Sequence, residues 1–247
     1  MVRKGRYNMT SIYDLSWSKT SFLSKLELFL KSQKREEQKI QSDDPILQAE
    51  GLSALSSTYY SIVGTAFSQL KATLRPRWLV WLAPVRVVVW CFTWLPLATW
   101  CYFRMLTLSN RMVEVVGYDK MSADQCDIRQ SILRRRNRLA EAKECIAVAF
   151  GKNPEKAHTR GLLHAGLAEI YKTEGNWREA EAKVQLAVKE AEEAEKQDPR
   201  QAARIYRHCA SVADFFEMGD PIPGSRLRRK AETLLQSIGA TDQLLKL

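Results

Sequence analysis

The chain has 247 residues, enough for one large or two small domains, with 45 % hydrophobic residues and a formal net charge of +10. Only 11 glycines and 8 prolines occur, and no stretch sustains period-two alternation between turn signals, which excludes a β-rich fold and predicts an all-α protein. The five cysteines are odd in number and form no C-x-x-C pair, which supports neither a disulfide framework nor a zinc site.

The charge is unevenly placed. Residues 1–77 carry 12 Lys+Arg against 7 Asp+Glu, whereas residues 109–247 carry 24 against 21. The basic surplus therefore lies in and before the apolar centre of the chain, which suits an anionic membrane surface better than nucleic acid.

Residues 1–20 read as a basic N-terminal tail containing Arg3, Lys4 and Arg6, with no apolar run behind them, so this is not a secretory signal. A cleaved organellar presequence is the alternative, against which Asp14 counts. Asn8-Met9-Thr10 fits a glycosylation acceptor only if this end is lumenal. Residues 21–118 form an N-terminal helical region. Its first part, 21–40, is amphipathic, with Phe22, Leu26, Phe29 and Leu30 on one face. Such a helix packs on a neighbour or lies on a membrane surface.

Asp44-Pro45 then reads as an N-cap followed by proline at the first helical position. The helix over 46–74 has no charge between Glu50 and Lys71. It is rich in small residues, including Gly51, Ala54, Ser57 and Gly64, that admit a second helix at close range. A break at Arg75-Pro76-Arg77 returns the chain to pack against the segment that follows.

That segment, 78–108, is the organising stretch. Five of the seven tryptophans are in it or at its edge: Trp78, Trp81, Trp90, Trp94 and Trp100. Its only charges are Arg86 and Arg104, and the 17 residues between them carry none. A spanning helix needs about 17–25 apolar residues, and tryptophan favours the lipid–water boundary. The expectation is a single transmembrane helix or an inserted segment in contact with lipid. Pro84 and Pro96 also suit a re-entrant or in-plane segment, or a kinked helix buried in a soluble core. Lys71, Arg75, Arg77 and Arg86 on one side against Arg104, Arg111 and Lys120 on the other give no orientation.

Residues 119–247 change to regular helical pairs. Ser122-x-x-Gln125 is a capping box opening the first helix. Ala142, Ile146 and Ala149 recur as Ala180, Val184 and Ala187 at an offset of 38 residues, an interval in the range of helical repeats. Gly175-Asn176-Trp177 supplies a turn, and Asn153-Pro154 and Asp198-Pro199 punctuate the ends of second helices and cap the next ones. Leu167, Ala168 and Tyr171 with Gly175-Asn176-Trp177 and Ala180, Val184 and Ala187 resemble the tetratricopeptide repeat family. The match is best over 158–190; Asn137 stands where the family has glycine, and Asp220-Pro221-Ile222-Pro223-Gly224 delays the last second helix.

The resemblance implies an α-solenoid of roughly three helical pairs that binds a protein partner without chemistry. Its register implies a concave face with Leu162, Ala165, Glu169 and Lys172, or else a face packed on the chain's own N-terminal helices. Ala165 and Glu169 do not provide the basic and amide clamp of chaperone-tail-binding members. No metal-ligand spacing links His158, His164 and His208, and no phosphate-loop, dinucleotide or nucleophile-elbow motif occurs. No cofactor and no enzyme activity is expected.

The clusters Arg134–Arg138 and Arg226–Lys230 read as solvated helix faces or phosphate contacts, with nucleic acid disfavoured by the near-neutral C-terminal half. The expected function is a membrane-anchored adaptor that recruits a protein through its repeats. The rival is a soluble helical scaffold whose N-terminal helices pack on those repeats.

Overall fold

The structure is a computed structural model that describes residues 33–74, 83–214 and 224–239. The basic tail, the start of the 21–40 helix, the Arg75-Pro76-Arg77 break, Trp78, Trp81 and most of the Asp220–Gly224 insertion lie outside the described residues. Among the described residues all regular structure is helical, so the all-α class holds.

A helical stretch at 33–40 leads into α1 (Pro45–Leu74), which begins where the sequence placed it. The Asp44 carboxylate accepts from the Ile46 amide at 2.8 Å, satisfying one of the free donors of the first turn. Next comes α2 (Ala83–Val116), a helix that starts beside Pro84 and carries Pro96 in its interior without ending there. The two helices are antiparallel: the Ser56 hydroxyl donates to the Met105 carbonyl at 3.3 Å, and Tyr59 meets Trp100 edge-on at 5.5 Å. Their buried seam consists of Leu52, Leu55, Tyr59 and Val63 against Cys101, Met105, Leu108 and Met112.

The small residues of α1 do not all serve that seam. A β-carbon on Gly51 would lie 2.7 Å from the Glu36 carbonyl oxygen, so this glycine admits the 33–40 stretch instead of α2. Gly64 has nothing within 4 Å of the same position.

Three further hairpins follow: α3 (Ala123–Arg135) with α4 (Leu139–Gly151), α5 (Ala157–Thr173) with α6 (Trp177–Ala194), and α7 (Pro199–Ala213) with α8 (Gly224–Ser237). The Ser122–Gln125 capping box is formed in both directions. Asn137 adopts φ 58° at the α3–α4 turn and Gly175 adopts φ 76° at the α5–α6 turn. Both turns need the left-handed region, which asparagine tolerates and glycine enters without a β-carbon penalty. Asn176 and Asp198 cap α6 and α7, with Pro199 at the start of the latter. Asn153 departs from expectation. It sits at φ 48° just beyond α4, but α5 starts only after Lys156, which makes no side-chain cap.

Two cores hold the described residues together. One joins α1, α2, α3, α4 and one side of α5 through Leu163 and Ile170. The other joins the opposite side of α5, through Leu162, Ala165 and Ala168, to α6, α7 and α8. The N-terminal hairpin is tied to α3 by polar contacts as well. Buried Arg129 donates to the Ser109 hydroxyl at 3.0 Å and the Asn110 side chain at 2.8 Å, and Arg135 lies over the Tyr60 ring at 4.3 Å.

Among the described residues no helix is long and apolar enough to cross a membrane. The single crossing expected of 78–108 therefore finds no support in α2. The helix runs on to Val116 through Arg104, Ser109, Asn110, Arg111 and Glu114, and it spends one face on α1.

Candidate functional site

Two surfaces differ from ordinary solvated helix faces. The first is made by α3, α5 and α7, the leading helices of the three C-terminal hairpins, with α5 touching both of the others. Gln130 donates to Asp127 at 2.9 Å and accepts from Arg134 at 2.6 Å; Arg134 reaches across to Glu169, with which it forms an ion pair. From α7, Arg204 stands 3.6 Å from Asp127 and His208 stands 4.0 Å from Glu169. Lys172 donates to the Ser211 carbonyl at 2.9 Å. Gly166 makes room for this chain of contacts, since a β-carbon there would be 2.9 Å from the Gln130 side-chain oxygen.

The electrostatics follow from that crowding. Burial works against ionisation of Glu169, but Arg134 together with His208 and Lys172 offsets it, holding the carboxyl below its usual range. Burial is the main cause that lowers His208, and Arg134, Arg204 and Arg207 add to it against the pull of Glu169. The imidazole is therefore neutral near neutral pH. Burial also lowers the Lys172 ammonium. Among the described residues the cations Arg134, Lys172 and Arg204 and the carboxylates Asp127 and Glu169 meet on this face.

The four residues expected to meet a partner are divided by the structure. Leu162 and Ala165 are buried in the core shared with α6, α7 and α8, because neighbouring helices close the stripe at its N-terminal end. Glu169 and Lys172 lie where it reaches solvent, the Glu169 side chain being 44 % exposed. Arg134, Arg204 and His208 join them although the repeat register did not single them out for this face. Asp127, Gln130 and Arg134 at i, i+3 and i+7 on α3, and Arg204 and His208 at i and i+4 on α7, were the readable signal.

The second surface is the outer face of α2. Val85, Val88, Phe92, Leu95, Leu97, Trp100 and Phe103 are exposed, Phe92 to 81 % and Phe103 to 62 %. The inner face of the same helix is buried through Ala98, Cys101, Met105, Leu108 and Met112. The tryptophans expected at the membrane are thus only partly placed: Trp100 lies at the seam edge, half exposed, against Tyr59. Arg86, Trp90 and Trp94 belong to α2, but their side chains lie outside the described residues. Arg104 is exposed beside Trp100, its guanidinium 6.0 Å from the indole and close enough to the Tyr59 hydroxyl to act on it electrostatically.

Of the five thiols, Cys91 is partly exposed on α2 and the other four are buried. Cys126 and Cys145 are fully buried with their thiols in hydrogen-bond contact, and that bond together with burial holds Cys145 far above the usual thiol range. Burial pushes Cys209 up to about 12. Among the described residues no group of three or more His, Cys, Asp or Glu side chains is arranged to hold a metal ion. Comparison with protein-family models, with curated proteins and with solved structures finds no match for this chain.

Proposed function

We propose that this protein is a membrane-associated, non-catalytic adaptor. It contacts lipid through the outer face of α2, and its tetratricopeptide-like helical pairs engage a protein partner along the α3–α5–α7 face. The observation that carries the reading is the row of large exposed apolar side chains from Val85 to Phe103 on a helix whose other face, from Ala98 onward, is in the core. Contiguous exposed apolar surface on this scale marks a contact with a partner or a membrane. Its aromatic content and the arginines at its end favour the membrane. An interfacial helix of this kind needs only one apolar face, so no crossing is required.

The repeat-like reading is supported by matching burial at the two copies of the repeat. Ala142, Ile146 and Ala149 on α4, and Ala180, Val184 and Ala187 on α6, are all at most 1 % exposed.

Flotation of the full chain with phosphatidylcholine vesicles tests the membrane part. The wild type is expected to rise with the vesicles, and Phe92→Asp/Phe103→Asp to bind at least about tenfold less, each phenyl being worth roughly 1.5–3 kcal/mol when fully buried. Both positions are exposed in the fold, so helicity by circular dichroism should be unchanged. A wild-type chain that stays at the bottom of the gradient with these vesicles and with anionic ones alike sinks the membrane reading.

A second reading rests on the core that joins the N-terminal hairpin to α3 and α4. In it the chain is a soluble scaffold, with α1 and α2 as an end cap of the helical stack. It predicts a monodisperse protein without detergent and no vesicle binding.

A further inference from the structure

A cleft of about 350 Å³ opens where the apolar face of α2 ends. Glu37, Ile40 and Gln41 line one side, Leu55 of α1 the floor, and Arg104, Thr107, Leu108 and Arg111 of α2 the other side. Positions 104, 107 and 111 share one helix face at i, i+3 and i+7, so two guanidinium groups flank a hydroxyl over about 10 Å of helix. Arg104 lies over the Trp100 ring, its guanidinium 6.0 Å from the ring centre. Arg111 is exposed and makes no ion pair or hydrogen bond with another described residue. Among the described lining residues Glu37 is the one carboxylate, it accepts from Gln33 at 2.9 Å, and two arginines face it.

We propose that this cleft binds the phosphate headgroup of an anionic glycerophospholipid, its acyl chains lying along Phe103, Trp100 and the rest of the exposed α2 face. This rests on the membrane reading above and names the lipid class that face selects. Arginine suits the task because its planar fork offers paired donors to phosphate oxygens and stays charged at any physiological pH. The cleft adds an apolar wall of Ile40, Leu55 and Leu108 beneath the headgroup, and Phe103, next to Arg104, starts the acyl path. A zwitterionic choline headgroup gains less here, since its trimethylammonium would approach the same arginines.

The experiment compares flotation of the full chain on pure phosphatidylcholine vesicles with flotation on phosphatidylcholine–phosphatidylglycerol and phosphatidylcholine–phosphatidic acid vesicles. The expected result is tighter binding to both anionic mixtures. Arg111→Gln should cut that preference about fivefold, and Arg104→Gln/Arg111→Gln about twentyfold, while binding to pure phosphatidylcholine should fall far less. Arg104→Lys keeps the charge but not the fork and should fall between the wild type and the double variant. Glycerol 3-phosphate added in solution should not compete; if it displaces the vesicles, the site is one for free phosphate esters and the lipid assignment is overturned.

Equal wild-type binding to neutral and anionic vesicles overturns the headgroup site and leaves the membrane reading standing. A double variant that keeps its anionic preference also overturns the site, by placing the preference on other basic residues. Binding to no vesicle of any composition sinks the membrane reading, and this inference with it.

Discussion

Single residues set the boundaries of this fold with little help from their surroundings. The Ser122 hydroxyl and the Gln125 side chain satisfy each other's backbone partners at the start of α3. Ser122→Ala should therefore lower stability by about 0.5–2 kcal/mol, read from the urea midpoint. The buried alanines are equally local in origin but act through volume. Ala187 is fully buried in α6, and Ala187→Leu should cost about 1–3 kcal/mol through overpacking, whereas the same change at exposed Ala147 should be close to neutral.

These features were legible in the sequence because caps and small-residue spacings depend on neighbours within one or two helical turns. The inward turn of Leu162 and Ala165 was not. Which stripe of α5 is covered depends on α6 and α7, whose positions no local spacing encodes.

At the scale of one element, α2 is the instructive case. Its apolar content was plain, but a sum over composition cannot separate a helix that is oily all round from one with two different apolar faces. Tyr59, Leu52 and Ser56 of α1 decide the matter by covering one face. The two faces should answer mutation differently. Met105→Ala, at a fully buried site, should cost about 2–5 kcal/mol in urea denaturation. Phe92→Ala, at an exposed site, should stay within about 0.5 kcal/mol in buffer, and its loss should register only in vesicle binding.

For the whole molecule, two consequences can be measured. All three histidines are held below their ordinary range, chiefly by burial, with His164 down to about 4. A histidine lowered in the fold leaves the unfolded chain with more bound protons. Stability is therefore full above about pH 6.5 and falls as the pH drops from there toward the folded value. Each such group contributes a slope of up to about 1.4 kcal/mol per pH unit. His164→Gln should flatten part of that decline in urea midpoints recorded across the interval.

The second consequence concerns domain organisation. The shift in composition near residue 119 suggests a boundary, yet Met121, Cys126, Ile132 and Leu133 share their core with Leu52, Met105 and Met112. A fragment covering 118–247 should be less stable than the intact chain and bind a hydrophobic dye. A fragment as stable as the parent would count against a shared core.

Because α5 presents Leu163 and Ile170 to one core and Leu162, Ala165 and Ala168 to the other, neither half of the protein can melt while this helix keeps its place. The chain should give one calorimetric transition, with no plateau of half-unfolded molecules between two separate endotherms. A destabilising change anywhere along α5 should thus speed the alkylation of Cys145 in one core and Cys209 in the other by the same factor.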